Sequence, residues 1–167
     1  GTFDYREKAP LASDSDMYID ENGEVIPDKS TLGGMAVGVP GTIAGIFAVH
    51  EKMGSLPMKK LIDPVIQLAK EGIVITESQE KTLKNARKSI IKTSGKNTLF
   101  SKAYKAGDTL KRKALAHTLT AIKNNGRDEF YKGETAQKIV DFLQENGSII
   151  SLEDLENYQS KERKPVE

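Results

Sequence analysis

Cysteine and tryptophan are absent from the 167 residues, and aromatics make up only 6% of them. Without cysteine there is no disulfide framework, no thiol nucleophile and no Cys-based zinc site. No apolar run approaches the roughly 20 residues that a membrane-crossing helix needs, so no membrane span is expected. The opening "GTFDYREKAP" has neither a basic n-region nor an apolar h-region, and it does not read as a signal peptide. Histidine is scarce too. His50 is followed by Glu51, but Gly54 stands where an H-E-x-x-H zinc motif needs its second histidine, and His117 has no ligand partner at helical spacing. Both histidines read as packing or surface residues, and neither a metal nor a cofactor is expected.

The formal charge of +1 hides an asymmetry. Residues 1–30 carry eight acids against Arg6, Lys8 and Lys29, whereas residues 81–113 carry eleven Lys/Arg against Asp108 alone. A basic stretch of that kind suits either an anionic partner or a solvated helix face. No aromatic or Asn/Gln base-reading pattern accompanies it, so the solvated face is the preferred reading and no nucleic-acid partner is expected.

Residues 2–27 read as extended segments and turns. "TFDYR" alternates as a strand does, and "MYIDENGEVI" reads as a weak hairpin turning at residues 21–23. Beyond residue 33 the texture is helical. Ile43, Ile46, Phe47 and Val49 recur near helical spacing, with Gly54 as a stop. Pro57 suits a first helical turn, Asp63–Pro64 reads as a new cap or a kink, and Gly72 closes that element. "TESQ" and "SLED" read as capping boxes at Thr76 and Ser151. Leu83, Ala86, Ile90 and Ile91 form one stripe, Leu115, Leu119 and Ile122 a second, and Ile139, Val140, Phe142 and Leu143 a third. Asn97 is the expected cap of a short helix in "NTLFSKAY", and a last helix is expected from Leu152 to about Tyr158. The expected fold is mainly α: an irregular multi-helix bundle (31–167) preceded by an extended β-like arm (1–30).

A self-contained catalytic site does not emerge. The glycine-rich "GGMAVGVPGTIAG" contains neither G-x-G-x-x-G nor G-K-[ST], which excludes a dinucleotide or P-loop reading. Its glycines read better as points where one backbone passes close to another element, with anion binding at the following helix start as the alternative. Lys132, just before Gly133, reads as a helix C-terminal partner rather than a catalytic amine. Arg6, between Tyr5 and Glu7, presents a planar fork suited to a carboxylate, but alone it reads as an ordinary strand arginine.

Five blocks taken together resemble one family. "FDYREKAPLASDSDMYID", "GGMAVGVPGTIAGIFAVHEKMGSLP", "LIDPVIQLAKEGIVIT", "DEFYKGETAQKIV" and "GSIISLEDLENYQSKERKPV" are similar, in order and spacing, to the large subunit of γ-glutamyltransferases. The similarity is weakest over residues 86–105. The resemblance implies that the chain is a piece of an αββα N-terminal-nucleophile hydrolase that cuts itself to expose a threonine. In that family the threonine attacks the γ-glutamyl amide of glutathione and related donors, and the acyl group passes to water or an amine. Arg6 matches the family arginine that pairs with the donor α-carboxylate. The catalytic threonine is expected outside this chain, on a small subunit cut from the same precursor. Residues 1–30 would then belong to the parent sandwich and 31–167 to a helical lobe. Export to the periplasm or beyond is expected by the same resemblance. A related acylase or polyglutamate depolymerase, and a helical anion-binding module, are the alternatives.

Overall fold

Both expected capping boxes set helix starts in the computed structural model, which describes residues 1–165. Thr76 Oγ1 accepts the Gln79 N–H at 3.3 Å while Gln79 Oε1 accepts the Thr76 N–H at 2.9 Å. Ser151 and Asp154 repeat the exchange at 3.2 and 2.8 Å. Each cap is worth about 1 kcal/mol. They open α3 (Glu77–Ser94) and α7 (Leu152–Glu156). The other helices are α1 (Thr42–Met53), α2 (Met58–Glu71), α4 (Lys113–Asn125), α5 (Arg127–Tyr131) and α6 (Glu134–Glu145). Strands are few and short: β1 (Thr2–Asp4), β2 (Ile73–Val74), β3 (Thr109–Leu110) and β4 (Lys161–Arg163). The mainly helical expectation therefore holds, while the arm is less strand-like than its alternation implies. The expected hairpin reduces to one bridge, Ile19 to Val25, with the Asp20 carboxylate accepting the N–H groups of Asn22 and Glu24.

The chain divides into two compact units, Gly1–Leu61 with Ala121–Glu167, and Ile62–Thr120. This division runs across the boundary near residue 30 read from the sequence. In the first unit β1 pairs antiparallel with β4, Thr2 opposite Arg163 and Asp4 opposite Lys161. Lys52, in the last turn of α1, reaches Glu162 of β4 at 2.5 Å. The core gathers Val39, Ala44, Tyr131, Ala136, Val140, Ile150, Leu155 and Tyr158. Val140 is buried as its stripe predicts, but Phe142 is 64% exposed. Phe142 follows Val140 by two positions, about 200° around the helix, whereas the core side of α6 is filled by Ala136, Ile139, Val140 and Leu143.

In the second unit, Ile66 and Ala69 of α2 bury against Ala116 of α4, flanked by Ile62, Leu115 and Leu119. Pro64 lies inside α2 without splitting it. A mid-helix proline costs roughly 3 kcal/mol, and burial of one isoleucine offsets about 1.5–3 kcal/mol of that. Gly72 ends α2 at φ 98°, and β2 then pairs with β3, Ile73 opposite Leu110. The short helix near residue 100 is a single 3-10 turn, Leu99–Ser101, preceded by Thr98 rather than by Asn97. The Ser101 hydroxyl folds back onto the carbonyls of Lys96 and Thr98, which tightens that turn.

Glu129 is a buried acid of the first unit. Its carboxylate accepts from Asn125 Nδ2 (2.9 Å), Thr135 Oγ1 (2.8 Å) and the Thr135 N–H (3.1 Å). The Asn125 bond, then the Thr135 hydroxyl, hold its pKa below the ordinary 4.5. A carboxylate depressed in the folded state stabilises above its unfolded pKa, and that stabilisation is lost as pH falls through the folded value. Thermal melts between pH 7 and 3 should therefore fall more steeply for the parent chain than for Glu129→Gln. Parallel curves would contradict this role.

Candidate functional site

The strand that begins the chain closes at Asp4, two residues before Arg6. Arg6 is thus not a strand residue, as the alternation implies, but the first turn beyond one. The Asp4 carboxylate explains the turn: Oδ1 accepts the Arg6 N–H at 3.1 Å, while Oδ2 accepts Arg163 Nε of β4 at 2.6 Å. The Arg6 N–H first, and the Arg163 guanidinium second, hold the Asp4 pKa below its usual range. The chain then returns to regular pairing at Lys8, whose N–H and carbonyl both bond Val39.

The other side of the Arg6 peptide is held from the core. Tyr158 Oη donates to the Arg6 carbonyl at 2.6 Å. Burial, then the charges of Asp4 and Glu7, push the Tyr158 phenol above its ordinary pKa of 10, so it remains a donor at neutral pH. Its ring stacks on Tyr131 with centroids 5.8 Å apart and planes at 14°. Tyr131 in turn donates to the Pro40 carbonyl at 2.8 Å and accepts the Ala44 N–H at 3.1 Å. That N–H lies in the first turn of α1, where the preceding Gly41 has no side chain to cap it. A tyrosine from α5 does the capping instead.

This arrangement also accounts for the glycine-rich run. A Cβ on Gly41 would overlap the Tyr158 hydroxyl and the Tyr5 carbonyl, and one on Gly45 would overlap the Tyr5 ring. The "VPGTIAG" segment therefore receives "DYREKAP" by close approach, the preferred reading of those glycines.

With its main chain gripped on both sides, Arg6 extends its side chain into a cleft of about 320 Å³ lined by Asp4, Glu7, Lys8, Tyr158, Gln159, Lys161 and Arg163. The Arg6 side chain is 82% exposed, and one of its guanidinium nitrogens pairs with Glu7 at 2.9 Å. An exposed pair of this kind is worth about 0–1 kcal/mol, so a better-placed carboxylate can displace Glu7. Lys8 lies over the Tyr158 ring at 4.8 Å and donates to the Gln159 carbonyl at 3.1 Å. The cleft is predominantly cationic and suits a small carboxylate.

The residues set aside in the sequence stay apart from the cleft in chemistry. His50 Nε2 bonds the Leu56 carbonyl at 2.7 Å, and His117 is exposed on α4. Lys132 pairs with Asp128 at 3.7 Å and Glu156 at 3.9 Å. Lys81, Lys84, Lys88 and Lys92 are exposed along α3, the arrangement of a solvated face. Among the described residues, no group of three or more His, Asp or Glu could hold a metal ion, and no helix is long and apolar enough to cross a membrane. Tyr158 and Tyr131 were not legible as site residues. Tyr158 reads only as a helix end, and its contact to Arg6 spans 152 positions.

Comparison with known proteins shows the family to which the chain belongs. The sequence profile described as Gamma-glutamyltranspeptidase matches residues 1–167. A glutathione hydrolase proenzyme of Pseudomonas sp. strain A14 is 40% identical over 98% of this chain, which spans 29% of that relative. The crystal structure of Helicobacter pylori gamma-glutamyltranspeptidase superposes with a TM-score of 0.93 at 43% identity, covering 98% of this chain and 48% of that one. The Bacillus anthracis transpeptidase enzyme CapD is similar at 32% identity and a TM-score of 0.74, covering 98% of this chain and 49% of its own. The chain thus spans less than half the length of these relatives, and along all of its own length it belongs to the gamma-glutamyltranspeptidase family.

Proposed function

We propose that residues 1–167 form part of the large subunit of a γ-glutamyl transferase/hydrolase, and that Arg6 binds the α-carboxylate of its donor. The observation that carries this reading is the grip on Arg6: main chain fixed by Asp4 and Tyr158, guanidinium exposed in a cationic cleft and held by the weak surface pair with Glu7. A planar fork can make two parallel bonds to a carboxylate, which fixes direction as well as distance. In the parent enzyme this would hold a γ-glutamyl amide so that its γ-carbonyl faces the nucleophile.

The nucleophile in this proposal is a threonine at the start of a small subunit, outside this chain. Its hydroxyl attacks the γ-carbonyl, and its own α-amine takes the proton and passes it to the leaving amine. Water or an acceptor amine then resolves the acyl ester. Residues 1–30 would join the αββα sandwich of the parent, with the following residues as a helical lobe, and the mature enzyme would be periplasmic or secreted. The identities to a glutathione hydrolase proenzyme and to a gamma-glutamyltranspeptidase support glutathione-type donors. The lower likeness to CapD makes a polyglutamate depolymerase the second reading. A donor panel of glutathione, polyglutamate and glutaryl amides separates the two.

The test is Arg6→Lys in the full-length enzyme. Lysine keeps the charge but cannot form the fork. Losing one charge-assisted bond costs about 1.5–3 kcal/mol, so KM for a γ-glutamyl anilide should rise roughly ten- to a hundredfold. Unchanged KM and rate would remove Arg6 from the site. In the same assay residues 1–167 alone should release no product; turnover above buffer would refute the placement of the nucleophile elsewhere.

A further inference from the structure

We propose that Tyr158 is a positioning residue for donor recognition, acting through the main chain of Arg6. The inference rests on the reading that Arg6 takes the donor carboxylate, and it adds a residue and a cause to that reading.

Tyr158 is 2% exposed, and its ring fills core space against Tyr131. A phenylalanine would fill that space equally, so packing does not account for the hydroxyl. What the hydroxyl does is cross to the Arg6 carbonyl at 2.6 Å. The surroundings make room for it: Gly41 has no Cβ at the place where one would strike that oxygen. The Tyr158 carbonyl is itself held by the Arg127 guanidinium, which also lies over the Tyr131 ring at 4.3 Å. The ring is therefore anchored at its backbone, its face and its hydroxyl, and the last anchor ends on the residue that lines the cleft.

The geometry matters because Arg6 has a long, exposed side chain with little else to define its reach. Its position depends on two main-chain bonds, one on each side of its Cα. Releasing the carbonyl side leaves the guanidinium present and charged but less well placed, and small misplacements of a binding group are costly in a positioned reaction. The expected signature is a loss of donor affinity specific to donors that carry an α-carboxylate.

The experiment uses the full-length enzyme with Tyr158→Phe, Arg6→Lys and the double substitution. Two donors are compared, a γ-glutamyl anilide and the matched γ-aminobutyryl anilide that lacks the α-carboxylate. Tyr158→Phe should raise KM for the first donor roughly three- to tenfold, with kcat within about twofold and the second donor unaffected. The double variant should be no worse than Arg6→Lys alone, because both act through one contact. Equal damage to both donors, or a lower melting temperature with an unchanged KM, would reduce Tyr158 to a core residue and overturn the inference. If Arg6→Lys raises KM and Tyr158→Phe does not, the positioning role fails while the Arg6 reading survives. If Arg6→Lys is silent, the Arg6 reading fails and the inference falls with it.

Discussion

Tyr131→Ala should destabilise the first unit by about 3–5 kcal/mol, the range for deleting a buried aromatic side chain. Tyr131 is fully buried, stacks on Tyr158 and meets Phe130 edge-on with centroids 5.0 Å apart. Alanine would leave a cavity under Tyr158 and strip the Ala44 N–H and Pro40 carbonyl of their shared partner. For a chain of this size each kcal/mol shifts the melting temperature by about 2–4 °C, so a drop on the order of 10 °C is expected by calorimetry. Tyr131→Phe keeps the ring and should lose only the hydrogen-bonding part, about 1–2 kcal/mol. If the alanine and phenylalanine variants melt together, the stack contributes nothing and the core has been misjudged.

Gly41→Ala is the second large effect, and it acts by overlap rather than by loss. Gly41 has φ −110° and ψ −11°, a conformation alanine adopts without strain. The added methyl would nevertheless meet the Tyr158 hydroxyl on one side and the Tyr5 carbonyl on the other. The carbonyl belongs to a backbone tied down on both sides, at β1 and at the Lys8–Val39 bridge, and the hydroxyl belongs to a buried ring. Neither is a loose side-chain end, so a cost of about 1–3 kcal/mol is expected. The two groups it displaces also fix Arg6, so the full-length variant should lose donor affinity along with stability. Wild-type melting and wild-type KM together would show that the segment carrying Arg6 slides aside freely.

Features set by neighbours in sequence were the legible ones. The capping boxes at Thr76 and Ser151 need only a residue and its third successor, and Gly72 ends its helix because the turn demands positive φ. Stripes were legible up to their edges: Val140 and Ile122 are buried, but whether Phe142 falls inside or outside the contact depends on how α6 is rotated against its neighbours. The alternation of "TFDYR" marked β1, but strands of two or three residues otherwise carry too little alternation to be recognised, and β2, β3 and β4 with their pairings were accordingly missed. The aromatic pair at the site was illegible for a related reason. Nothing near Tyr158 or Tyr131 in sequence names Arg6 or Ala44 as a partner, and the contacts span 152 and 87 positions. Arg6 itself stood out only through a resemblance spread over the whole chain.

The pairing of Thr2–Asp4 with Lys161–Arg163 carries a consequence for how the polypeptide reaches its native state. The segment 62–120 forms a compact unit from contiguous sequence and can condense as soon as it has been synthesised. The strand Thr2–Asp4 must wait until Lys161–Arg163 has been synthesised, because that partner lies some 160 residues further along. Closing so large a loop is slow relative to local helix formation, and meanwhile the strand edge beside the arginine stays open to other chains. Hydrogen exchange during refolding should accordingly protect the amides of Thr2–Asp4 after those of the helices.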